Sequence, residues 1–215
     1  MQPPWNRPAV GFAPKTSPAT EIARLLALLS VLLWSAAAPA QKLEQFAATR
    51  LIFLEPGKAA QEERLFFGGG KLRVETAAPV GKGVMVWIFL PDLRKQWLLN
   101  PQKQLYGELP IEGEEGGGPI VRERELGKET VAGFECVKTE LLTTLESSEG
   151  TRAVKTLVWR SERLALPLRT LEQDGSGSEL RAVVERQHPP ALFEIPPGYR
   201  QAPDHFALWE SFSTP

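Results

Sequence analysis

The sequence predicts a mainly β protein, a single antiparallel meander with little helix. Three observations predict it. The run Val84–Leu90, VMVWIFL, is apolar, rich in β-branched and aromatic side chains, and bounded by Gly83 and Pro91. It is too short for a helix and has no polar face. Short alternating segments broken by Gly, Pro and Asn-Pro turn signals recur from Phe46 to Gln187. Beyond the first forty residues no 3.6-residue apolar period is sustained. The 42% hydrophobic and 24% charged content suits an ordinary globular domain. At 215 residues, one domain is the default.

The chain opens with a basic leader holding Arg7, Lys15 and Arg24. An apolar run follows, LLALLSVLLWSAAA from Leu25 to Ala38, and then Ala38-Pro39-Ala40 before Gln41. Basic, apolar, then small is the pattern of a cleaved signal peptide. The run falls short of the ~20 residues a spanning helix needs. The expected organisation is therefore residues 1–40 as a removed signal, 41–200 as one β domain, and 201–215 as a flexible tail. The residue after Ala40 is Gln41 and not Cys, so a lipid anchor at that site is not expected. Cys136 is the one cysteine, which leaves no internal disulfide. It reads as a small buried hydrophobe in a strand, with an intermolecular bridge or a reactive thiol as alternatives.

Phe46–Leu54 is the first expected strand, turning at Pro56-Gly57. Glu62–Phe67 and Lys71–Thr76 form a hairpin about Gly68-Gly69-Gly70, with Leu72 and Val74 inward. GGGK there joins two strands and lacks the rest of a phosphate loop. Val84–Leu90 follows, with Val84, Val86 and Ile88 on one face and Met85, Trp87 and Phe89 on the other. Both faces are apolar, so both must be covered. Gln96–Leu99 and Lys103–Leu109 complete the first half, after turns at Pro91-Asp92 and Asn100-Pro101. The low-complexity stretch Pro110–Gly118 reads as a solvated loop; its Glu112, Glu114 and Glu115 lack calcium-loop spacing. In the second half, strands are expected at Phe134–Leu145, Ala153–Arg160, Leu164–Leu171 and Glu179–Gln187. Pro167 fits only an edge or a bulge. HPPALFEIPPGYRQAP, with its prolines, is expected to be irregular, with a short helical piece near 41–45 or 202–210.

Function classes narrow by composition. A net charge of −1 offers no basic face for nucleic acid. His188 and His205 are the only histidines; neither has a Cys/His partner at metal-ligand spacing, so no metal site is expected. No GxSxG elbow is present. Neighbouring carboxylates such as Glu62 and Glu63 would point to opposite faces of a strand. An enzyme is not expected, and no cofactor is implied.

Several segments in order resemble a known superfamily. They are Arg64-Leu65-Phe66-Phe67, Lys71-Leu72-Arg73-Val74-Glu75 and Trp97-Leu98-Leu99-Asn100-Pro101 with Gln104. The second half adds Glu129-Thr130-Val131-Ala132-Gly133-Phe134-Glu135-Cys136 and Trp159, and the end adds Leu192-Phe193-Glu194-Ile195-Pro196-Pro197-Gly198-Tyr199. Over residues 44–200 this set resembles the outer-membrane lipoprotein-sorting, carrier-like superfamily, in an uncharacterised branch. The resemblance implies an unclosed antiparallel β-barrel, curved around an apolar concave face that holds acyl chains under a helical lid. It also implies a periplasmic place, with secretion as second choice. Two departures stand out. Few residues separate Gln41 from Phe46, where the carriers have a helix, and Gly68–Gly70 takes the place of the basic residue that locks their lid.

The expected function is binding of a lipid or other apolar ligand in the concave face, with a role in envelope lipid or lipoprotein handling and without a lid locked by a basic residue. The candidate lining is Leu72, Val74, Val86, Trp87, Ile88, Trp97, Leu99, Leu157 and Trp159. Which of these share one face depends on register, which the sequence leaves open. The alternative is a non-catalytic envelope module that receives a protein partner on the curved sheet or an edge strand. The partners implied are a lipid or lipidated protein, or an envelope protein.

Overall fold

The computed structural model describes residues 43–213, except 56–57, 79–82, 112–119 and 148–149. The proposed signal segment, 1–40, and the acidic stretch of 112–118 lie outside the described residues. Among the described residues, twelve strands make one sheet. They are β1 Gln45–Phe53, β2 Gln61–Gly68, β3 Lys71–Ala77, β4 Val84–Leu90, β5 Lys95–Asn100, β6 Leu105–Pro110, β7 Ile120–Val131, β8 Phe134–Ser147, β9 Gly150–Arg160, β10 Arg169–Glu172, β11 Gly177–Glu185 and β12 Arg200–Gln201. A helix, α1, spans His205–Ser213.

The sheet order is β12-β6-β5-β4-β3-β2-β1-β11-β10-β9-β8-β7. All pairings are antiparallel except β12 with β6. The first half thus steps outward from β1 to β6, and the second half steps inward from the far edge β7 to β11, which pairs with β1. The connection from β6 to β7 must cross from one side of the sheet to the other. In a flat sheet those strands would stand ten spacings apart, about 48 Å. Nine chain steps from Ile111 to Ile120 reach at most about 32 Å. The sheet is therefore curved, and it is not closed: an open β-barrel, as the sequence predicts.

Hairpin chemistry fixes the register. Gly69 and Gly70, both at positive φ, make the two-residue turn between β2 and β3. Ala132 and Gly133, at φ 50 and 84, do the same between β7 and β8. That conformation matches the twist of the flanking strands.

Three local expectations change, and one choice between expectations is decided. Leu164–Leu171 is strand only from Arg169, yet Leu164, Leu166 and Leu168 are buried, so their alternation reflects a loop packed into the core. β7 is not among the expected strands, because an edge strand wet on both faces shows no apolar alternation: RERELGKE is largely exposed. The segment 188–201 is ordered, with a 3₁₀ turn at Pro190–Phe193 and the short strand β12. Residues 205–213, for which the sequence offers both a loose tail and a short helical piece near 202–210, form α1 with Leu208 and Phe212 buried; the helix is what is found, because its apolar side chains have a surface to cover.

Candidate functional site

Register separates the two faces of the sheet. One face carries Phe46 and Ala48 of β1, Leu65 and Phe67 of β2, Leu72 and Val74 of β3, Trp87 and Phe89 of β4, Leu98 of β5 and Leu180 of β11. All belong to one continuous apolar cluster. A sheet that curls brings side chains of distant strands together on its inner side, so the face bearing this larger cluster is the concave one. The opposite face carries a smaller cluster of Val86, Ile88, Leu90 and Leu99 with Phe193, flanked by Phe66, Trp97, Tyr106, Leu192 and Tyr199.

The nine candidate lining residues therefore divide. Leu72, Val74 and Trp87 line the concave face. Val86, Ile88, Trp97 and Leu99 lie on the outer face, beneath the C-terminal segment. Leu157 and Trp159 project outward by register, opposite Glu140 and Lys138, although they join the main apolar cluster. Sequence reasoning missed the strongest lining residues, Phe46, Phe67 and Phe89. The alternation of β1 and β2 carried that signal, but only the pairing of Phe46 with Phe67 and of Leu72 with Phe89 aligns them. The Phe46 and Phe67 rings stack at 5.3 Å, and those of Trp87 and Phe89 at 6.0 Å.

Along the strands the concave face changes polarity. Beyond Ala48 and Leu65, the next inward pair is Arg50 and Glu63. Both are buried, at 1% and 4% exposure. The guanidinium donates through Nε to Glu63 Oε2 at 2.6 Å, and also through Nη2 to the same oxygen. The neighbours at this level are polar as well. Gln61 Nε2 donates to Thr76 Oγ1 at 2.7 Å, and the Thr170 and Ser178 hydroxyls lie 3.0 Å apart. Thr139, Thr156 and Asn100 are also buried. Beyond its apolar floor the inner surface thus carries a net-neutral set of hydrogen-bonded side chains, interleaved with the buried Ile52, Met85 and Val158. A buried charge pair of this kind is tolerated because each charge has its partner.

The C-terminal segment embraces β2–β6 on both faces. His188 anchors it, with its N–H donating to Gln45 Oε1 at 2.6 Å and its Nε2 bonded to the Phe46 carbonyl at 3.0 Å. Phe193 is buried against the outer face, where Gly68 makes room: a Cβ there would stand 3.3 Å from the ring. Arg73 Nη1 donates to the Leu192 carbonyl. The chain then rounds the edge, pairing in parallel with β6 through Arg200 N to Gln104 O and Ala202 N to Tyr106 O. Finally α1 lies on the concave face, with Trp209 at 6.3 Å from Trp87 and 6.1 Å from Phe212. Asp204 caps it, accepting from Ala207 N at 2.7 Å. The concave face thus has a helical cover at β4–β6, built from the C-terminus.

Each outer strand of the meander is pinned by the same arrangement. Glu108 of β6 accepts from Trp97 Nε1 at 2.9 Å and from Lys95 Nζ at 3.0 Å, while that ammonium sits 5.2 Å from the indole centroid. Glu129 of β7 accepts from Trp159 Nε1 at 2.7 Å and Lys138 Nζ at 2.8 Å, with Lys138 4.9 Å over the indole. Trp97, then Lys95, hold the Glu108 carboxyl below its usual range; Lys138, then Trp159, do so for Glu129. Burial pushes the Cys136 thiol up, away from the reactive thiolate. Among the described residues no group of three His, Cys, Asp or Glu side chains is placed to hold a metal ion.

No protein-family model matches the sequence, and no curated protein does. Solved structures do share its architecture. PNGF-II, in a C2 crystal form, superposes with a TM-score of 0.52 at 11% identity, over 79% of this chain and 32% of that one. An uncharacterised conserved protein from Thermus thermophilus gives 0.49 at 11% identity, over 83% and 98%. The MucA/MucB complex of Pseudomonas aeruginosa gives 0.46 at 13% identity, over 78% and 59%. This chain spans about a third of PNGF-II, and at 11% identity that likeness speaks to the fold alone.

Proposed function

We propose that this chain is an exported, non-catalytic binding protein that takes a lipid acyl chain or a similar apolar ligand on the concave face of its open barrel. The observation that carries this reading is the floor of that face. Aromatic and aliphatic side chains from β1 to β5 form one continuous apolar surface, and over β4–β6 it is covered by a nine-residue helix, not by a second sheet. Most of that floor is already buried, Phe46 and Leu65 fully, while Phe67 is half-buried, so a ligand would take the place of side chains that now cover it, gaining ~25 cal/mol per Å² of apolar surface it shields. The neutral polar band beyond it suits the head of an amphiphile.

The alternative, a partner strand added at an edge, is less well supported. β12 already pairs with β6. At the other edge, β7 carries register shifts at Val121 and Leu126 and alternates Arg122, Glu123, Arg124 and Glu125. Bulges and charges of that kind blunt an edge against pairing.

The test is titration with a fluorescent fatty acid, together with mass spectrometry of lipids extracted from the purified protein. Wild type is expected to bind at micromolar concentration. Phe67→Glu, at a half-buried site on the floor, is expected to weaken binding at least tenfold, whereas Val184→Glu, on an exposed site, leaves it unchanged. Absence of binding by folded wild type, with no co-purified lipid, would overturn the reading.

A further inference from the structure

We propose that the outer face of β7–β9 docks the protein on a bilayer that carries anionic phospholipid. Docking of this kind goes beyond the ligand reading and does not depend on it. The chain's net charge of −1 conceals a local segregation. β7 contains Arg122-Glu123-Arg124-Glu125, and strand alternation sorts those charges by sign. Arg122 stands opposite Leu142 and Arg124 opposite Glu140, on the outward side that also carries Leu157 and Trp159. Glu123 and Glu125 stand opposite Leu141 and Thr139, on the inner side.

Glu140 is the hub of the outward charges. Arg124 Nη2 lies 3.2 Å and Arg122 Nη2 3.9 Å from its Oε1, and Lys155 Nζ of β9 lies 2.5 Å from its Oε2. Lys155 foremost holds that carboxyl below its usual range, so it stays ionised, one charge against three. The carboxylate lies low, 12% exposed, while the three cations stand 47–61% exposed above it. What meets the solvent here is therefore positive. The arrangement recurs on the same face at β11, where Glu179 is flanked by Arg169 and Arg181. At the far end of β7 the outward Glu129 is matched by Lys138.

Charge alone suits any polyanion; the neighbouring apolar residues favour a bilayer. The two register shifts of β7 fall at Val121 and Leu126, and both side chains are exposed. They flank Arg122 and Arg124 along the edge of the sheet. At a membrane surface the guanidinium groups meet phosphate while apolar groups reach past the headgroups. An acidic peptide would answer the arginines and leave Val121 and Leu126 in water. The opposite edge is β12, part of the C-terminal strap of residues 188–201, which also covers the outer face at β4–β6. Docking through β7 lays the other lip of the unclosed barrel against the lipid.

The experiment is co-sedimentation of the full chain with vesicles of phosphatidylglycerol and phosphatidylcholine in equal parts, against vesicles of phosphatidylcholine alone. Wild type is expected to sediment with the first and not the second, and to be released by added salt. Arg122→Ser with Arg124→Ser is expected to weaken binding about tenfold or more, and Val121→Ser with Leu126→Ser about threefold or more. Lys58→Ser with Arg200→Ser removes the same charge from exposed sites elsewhere and is expected to leave binding unchanged. If folded wild type ignores the anionic vesicles, or the arginine variant binds them as wild type does, the inference falls; uptake of fatty acid then still decides the ligand reading by itself. If soluble polyglutamate binds as tightly as the vesicles and the Val121 and Leu126 variant holds vesicles as wild type does, the surface serves an acidic protein and the inference also falls. Should a variant not fold, amide exchange of wild type decides: anionic vesicles are expected to slow 120–131 and leave 45–53 as it is, and unchanged exchange at 120–131 overturns the inference.

Discussion

Arg50 and Glu63 sit where the concave face turns from apolar to polar, and each is buried with the other as its charge partner. Removing one charge strands the other. Glu63→Ala is expected to cost roughly 3–5 kcal/mol in urea unfolding, whereas Arg50→Met with Glu63→Leu is expected to be near neutral. A single-variant loss no larger than that of the double would show that the pair is not desolvated. Ala132 poses the opposite case. It occupies a left-handed position, φ 50, in the hairpin between β7 and β8, where an alanine Cβ is crowded and asparagine is favoured. Ala132→Asn is expected to stabilise by about 0.5–1 kcal/mol, read as a rise in the urea midpoint with unchanged slope.

At the scale of elements, the two Trp–Glu–Lys clamps tie edge strands to their neighbours. The folded-state pKa of Glu108 and of Glu129 lies below the ordinary 4.5. The stability each contributes is therefore present above that ordinary value and is lost as pH falls through the lowered one. These carboxylates are well exposed, so the effect is small and salt-sensitive. Thermal melts from pH 5 to pH 3 should fall less steeply for Glu108→Gln with Glu129→Gln than for wild type; parallel curves would show the clamps to be ornamental.

Element by element, the sequence was legible where pattern and burial coincide. β4 reads directly as a strand with two apolar faces, and the two clusters that meet those faces are the helix-covered floor and the strap-covered outer surface. β7 was illegible because both its faces meet water. The site was half legible. Leu72, Val74 and Trp87 fall together, but Val86, Ile88, Trp97 and Leu99 serve the strap, since one step of register exchanges the faces. The strap, the C-terminal segment 188–201, was hidden by its prolines, which forbid long elements while permitting the 3₁₀ turn and β12.

For the molecule as a whole, the pairing of β1 with β11 joins two strands far apart in the chain, Phe46 opposite Glu185. A chain that emerges from a ribosome or a translocon N-terminus first therefore shows β1 long before its partner exists. Until then β1 is a bare edge beside a half-built sheet, with Phe46, Leu51 and Ile52 awaiting cover. Such a protein folds slowly, because its central contact is also its least local. Stopped-flow refolding is expected to take from tens of milliseconds to seconds, with β1 amides protected only in the final phase. The first six strands expressed without the rest should aggregate through the face of β1 that β11 ought to occupy.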